Sequence, residues 1–97
     1  SEALLERLLC KFLEDENFSQ WRAALDSGDS ERAAAAAHAL KGVCGNLSMT
    51  ELFALFTEQV DALRRGDLTM ARSKMDQIVL AYGSVVSAVR EGMDAAR

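Results

Sequence analysis

The single histidine of this chain, His38, sits in the run Ala37-His38-Ala39-Leu40-Lys41-Gly42. Its imidazole is the group best suited to covalent chemistry, because an ordinary pKa of about 6.5 leaves a nucleophilic ring nitrogen at neutral pH. Between Asp29 and Leu47 the residues Ala33, Ala36, Ala37, Leu40, Val43, Cys44 and Leu47 recur at i, i+3, i+4 and i+7, the spacing of one buried helical stripe. At about 100° per residue, His38 falls roughly 160° from the centre of that stripe, so the spacing predicts an imidazole held toward solvent.

The surface around it is nearly bare. Ala34 and Ala35 lie one turn back, Lys41 three residues on, Gly42 four on and Gly45 seven on, all on or beside the His38 face. An ordinary solvated face carries Glu, Lys, Gln and Arg. Each mid-helix glycine costs about 1 kcal/mol relative to alanine, so Gly42 and Gly45 suggest that something must approach closely there. The plainer alternative is a solvated histidine on an alanine-rich helix that packs closely on both sides, and the pattern alone leaves the two level.

Five amphipathic segments position this face. The first helix is expected from about Glu2 to Glu14, with Leu4, Leu5, Leu8, Leu9, Phe12 and Leu13 as its apolar side. The acidic run Glu14-Asp15-Glu16 reads as a solvated corner. Phe18, Trp21 and Leu25 mark a short helix buried on one side that stops near Gly28, and Trp21 reads as core. Asp29 or Ser30 caps the third helix, and Glu31 complements its positive end. Thr50 is expected to cap the fourth, whose stripe is Leu52, Leu55, Phe56, Gln59 and Leu63. Gln59 stands out there, because a buried amide must find partners. Gly66-Asp67 closes that helix, and the last is expected from about Thr69 to near the end, with Met75, Ile78, Tyr82, Val85 and Val89 inward. Short turns between such helices predict an all-α, up-down antiparallel four-helix bundle, with the short helix over 18–25 folded against it.

Composition narrows the function classes. Ninety-seven residues make one small domain spanning 1–97, without a single proline. The formal charge of −4 is spread over mixed acids and bases, unlike the clustered basic face of a nucleic-acid binder. No apolar run approaches the roughly 20 residues that span a bilayer, and no signal-like segment is present; a cytoplasmic domain without direct membrane contact is expected. The opening on Ser1 suggests excision from a longer protein or removal of a tag. Two cysteines, Cys10 and Cys44, are too few for a disulfide framework and read as reduced thiols, Cys44 as a core filler. With one histidine and two distant cysteines no metal site is expected. No carboxylate stands three or four residues from His38 to orient it, and no phosphate-binding glycine loop is present, so the chain lacks the machinery of a stand-alone enzyme.

The run His38-Ala39-Leu40-Lys41-Gly42 followed by Asn46-Leu47 resembles the His-x-Leu-Lys-Gly signature of histidine-containing phosphotransfer (HPt) domains of two-component phosphorelays. The resemblance extends over nearly the whole chain, through the Leu-rich opening helix, Phe18 and Trp21 before Ala24-Leu25, the turn Ser27-Gly28-Asp29 and the turn Gly66-Asp67. Val43 and Cys44 depart from the small polar residues common after the Lys-Gly pair, and Ser48 stands where glycine usually follows Asn-Leu. The resemblance implies that His38 carries a phosphoryl group on Nε2 and that Lys41 stabilises the charge on the transferring oxygens. It further implies that Gly42, Gly45, Ala34 and Ala35 admit a partner. That partner would be the aspartate-bearing receiver domain of a response regulator or hybrid kinase, which would bring the Mg²⁺, with the chain itself a monomer needing no cofactor. Gln59 is a further site candidate, since a glutamine on the following helix bonds the histidine ring in some relatives; a structural contact to a neighbouring helix is its other reading. Arg64 would add positive potential, unless it serves the helix dipole alone. Two other functions fit the same residues: the His-bearing domain of a chemotaxis-type kinase, and a helical interaction module that carries no phosphate.

Overall fold

In a computed structural model, which describes residues 2–95, six helices follow in order: α1 (Glu2–Glu14), α2 (Asn17–Ser27), α3 (Ser30–Asn46), α4 (Thr50–Arg64), α5 (Leu68–Ser73) and α6 (Met75–Ala95). No strand occurs among the described residues. Short turns reverse the chain between α2, α3 and α4, giving an up-down antiparallel bundle elongated to 44 × 21 × 20 Å.

The accessory helix is not the one expected. Segment 18–25 lies within α2, which packs closely on α3 and buries Trp21, Ala24 and Leu25 completely. The Leu-rich α1 instead touches mainly α6. Of its predicted apolar face only Phe12 is buried, while Leu4 and Leu5 are 53% and 52% exposed. The apolar stripe of α1 is real, but its first half runs beyond the reach of the bundle. The bundle proper is therefore α2, α3, α4 and the α5–α6 arm, with α1 as the added N-terminal helix.

Aromatic rings knit these layers together. Trp21 meets Phe56 edge-on at 5.6 Å between centroids, Phe12 lies 5.1 Å from Tyr82, and Phe18 stacks on Tyr82 at 3.8 Å. The contacts tie α1 and α2 to α6 and α2 to α4, the Trp21–Phe56 pair in the edge-to-face arrangement that aromatic rings favour.

The long last helix predicted from Thr69 is broken at Lys74 into α5 and α6. Tertiary hydrogen bonds hold the short α5 in its own place. The Ala71 carbonyl accepts Nε2 of Gln59 at 3.1 Å and the Lys74 N–H at 3.3 Å. Arg72 donates from Nε and Nη2 to the Leu25 carbonyl at 2.9 and 2.7 Å, joining the Gly28 N–H at 3.3 Å on this carbonyl at the end of α2.

Three helix ends share one closure. At Gly28, Gly66 and Ser48 a residue with positive φ (78°, 74° and 56°) donates to the carbonyl three back. The next residue in each case donates to the carbonyl five positions before itself, which makes each end a Schellman motif. After the two glycines comes an aspartate that caps the following helix: Asp29 accepts from the Arg32 N–H at 3.1 Å and Asp67 from the Met70 N–H at 3.0 Å. The α3–α4 turn departs from this plan. Met49 occupies the cap position without a side-chain bond, and Thr50, the expected cap, is already the first helical residue. Asp15 is likewise more than a solvated corner: half-buried, it accepts from the backbone and side-chain N–H groups of Asn17 at 2.7 and 2.8 Å.

Candidate functional site

α3 buries Ala33, Ala36, Ala37, Leu40 and Cys44, with Val43 and Leu47 half-buried at the edge. His38, mid-helix, is exposed as the periodicity predicts. Asp29 fixes the start of the helix by its cap and Ser48 its end by the left-handed turn, so the imidazole stands on a rigid element.

Its surroundings divide. Ala35 and Gly42 are exposed, and a Cβ added to Gly42 would meet nothing within 4 Å; a partner can approach the backbone there. Ala34, expected in the same open surface, is half-buried against the core. Gly45 differs as well. A Cβ there would lie 3.3 Å from Cδ2 and Cε2 of Phe53, so its space is occupied by the chain's own side chain and not held open for a partner.

Lys41 is half-buried, and its Nζ lies 5.6 Å from the centroid of the Phe53 ring, within the range of a cation–π contact. Phe53 was not among the sequence-predicted site residues. The signal available was its absence from the Leu52, Leu55, Phe56, Gln59, Leu63 stripe, which left an aromatic ring on the outer side of α4. With Gly45, Ser48 and Met49 it lines a cleft of about 320 Å³ at the α3–α4 turn.

Gln59 is buried as expected, 1% exposed, but its amide serves the core. Oε1 accepts from Trp21 Nε1 at 3.1 Å, and Nε2 donates to the Ala71 carbonyl. The structural alternative holds, and Gln59 is removed from the imidazole's candidate partners. Arg64 is exposed in the last turn of α4, where its charge complements the carbonyl end of the helix.

Cys44 is wholly buried, and desolvation, aided by the negative charge of Asp15, pushes its thiol up to about 11. At neutral pH it is a protonated, inert packing group. Among the described residues no three His, Cys, Asp or Glu side chains are grouped to hold a metal ion, and no helix is long and apolar enough to cross a membrane.

What remains is one exposed nucleophilic ring on a capped helix, a cation on the same face, and open backbone beside both. Comparison with curated proteins and with solved structures returned no significant match. The sequence profile described as "Hpt domain" matches residues 7–97. Because that match runs from the middle of α1 to the end of the chain, His38 and its helix included, the protein belongs to the Hpt domain family, whose members perform histidine phosphotransfer in two-component signalling and interact with the receiver domains of response regulators.

Proposed function

We propose that this protein is a phosphorelay intermediate in which His38 accepts a phosphoryl group from, and returns it to, the aspartate of a receiver domain. The observation that carries the reading is the exposure of His38 on a face where Ala35 and Gly42 leave the helix backbone bare. The Nε2 lone pair forms a bond to phosphorus as the bond from phosphorus to the receiver's aspartyl oxygen breaks, and the carboxylate leaves. The return step reverses this, with imidazole as leaving group. Charge spreads over three oxygens in a loose, in-line transition state, and Lys41, three residues from His38 on the same face, supplies a compensating positive charge. The receiver contributes the Mg²⁺ and the acids. The chain acts in the cytoplasm as a monomer, alone or as a domain of a larger sensor.

The test is transfer from a phosphorylated receiver domain, with label followed on both proteins. Wild type gains acid-labile, alkali-stable phosphate; His38→Gln gains none, and Lys41→Ala gains it more slowly with an unchanged circular dichroism spectrum. Label that appears on His38→Gln would move the acceptor elsewhere. Tight receiver binding without label would leave an interaction module in place of a carrier.

A further inference from the structure

We propose that Phe53 is a positioning residue for Lys41: its ring holds the lysine ammonium ordered on the His38 face before a phosphoryl group arrives. The proposal rests on the phosphotransfer reading of His38 and assigns a part to a residue on a different helix. A lysine side chain has four flexible carbons and many rotamers, so a surface lysine is disordered unless something fixes its charged end. The negative face of an aromatic ring does so, and the Phe53 ring lies 5.6 Å from Lys41 Nζ.

The ring is itself held. Its backbone lies in the first turn of α4, with its N–H donating to the Met49 carbonyl at 2.9 Å and its carbonyl accepting Oγ1 of Thr57 at 2.7 Å. Its Cδ2 and Cε2 rest 3.3 Å from where a Gly45 Cβ would stand, so the missing side chain at Gly45 is the seat of the ring. At 38% exposure, Phe53 lies at the surface beside Lys41 and not within the core. Gly45, Phe53 and Lys41 thus form a relay of contacts from the floor of α3, through α4, back to the charged end on α3.

Two readouts test it on Phe53→Leu, which keeps apolar bulk without a π face, Phe53→Tyr, which keeps the ring, and Lys41→Ala with each. First, the Lys41 Hε resonances of the unphosphorylated domain are expected to be ring-current shifted in wild type and Phe53→Tyr and unshifted in Phe53→Leu. Second, phosphorylation of His38 is measured with phosphoramidate and with a phosphorylated receiver. Phe53→Leu is expected to slow both by about two- to five-fold, Phe53→Tyr to restore the rate, and Phe53→Leu to have no effect once Lys41 is alanine. An equal loss with and without Lys41 would make Phe53 a packing residue and overturn the proposal, as would an unshifted Lys41 resonance or an unchanged rate. Should wild type take no phosphate on His38, the phosphotransfer reading and this proposal both fall, and a surviving ring-current shift would mark the contact as structural only.

Discussion

The indole Nε1 of Trp21 donates to Oε1 of Gln59 at 3.1 Å, with both side chains buried. Gln59 passes the connection on to α5 through the Ala71 carbonyl, so one amide joins three helices. Gln59→Leu leaves a buried indole N–H without its partner, at a cost of about 1 to 3 kcal/mol. Urea unfolding of Gln59→Leu, Trp21→Phe and the double variant is expected to give a double-variant cost below the sum of the singles, since the second change removes the orphaned donor. Strict additivity would mean the bond contributes nothing.

Ser48 holds φ at 56°, a conformation that an L side chain disfavours by about 1 to 2 kcal/mol. The equivalent positions Gly28 and Gly66 do not carry that strain. Ser48→Gly is expected to raise stability by up to about 1 kcal/mol, the gain being trimmed by the greater freedom of glycine in the unfolded chain. Thermal unfolding checks it; a fall in Tm would place an uncounted role in the serine side chain.

Gly42 and Gly45, alike in the sequence, are expected to part on substitution. Gly42→Ala meets open space and is expected to stabilise by about 1 kcal/mol. Gly45→Ala must push the Phe53 ring from a 3.3 Å approach and is expected to gain less. Gly42→Gln is expected to block transfer from a receiver while phosphoramidate still labels His38. Receiver transfer as fast as wild type would show that the bare face is not a docking surface.

Desolvation, with the Asp15 carboxylate as the next cause, holds the Cys44 thiol at about 11 against an ordinary 9.0. For the Tyr82 phenol the same two causes, and then Cys44, give about 12 against 10.0. Both raised values favour the protonated, neutral forms. From pH 9 upward the unfolded chain releases these protons before the native one does, so it binds fewer and stability falls with pH. Their contribution is full below pH 9 and lost as pH rises through about 11 and 12. Urea midpoints are expected to decline more steeply between pH 9 and 11 in wild type than in Cys44→Ala; parallel profiles would contradict a buried thiol.

The sequence determined what is local. The 3.6-residue periodicity of Ala33, Ala36, Ala37, Leu40 and Cys44 placed His38 outward, because a side chain's direction on a helix follows from its position along the chain. Gly28, Asp29, Gly66 and Asp67 marked helix ends through the conformations and caps that those residue types favour. Only the tertiary structure decided which stripe meets which. The stripe of α1 and that of α2 are both apolar, yet α2 fills the core and the first half of α1 does not. The break at Lys74, the duty of Gln59 and the seating of Phe53 on Gly45 depend on contacts such as Trp21 with Gln59, 38 residues apart, and Leu25 with Arg72, 47 apart. A periodic pattern carries the angle of a residue about its own helix axis but nothing of the distance to another helix. A polar partner or an occupied space therefore appears only once the helices are packed.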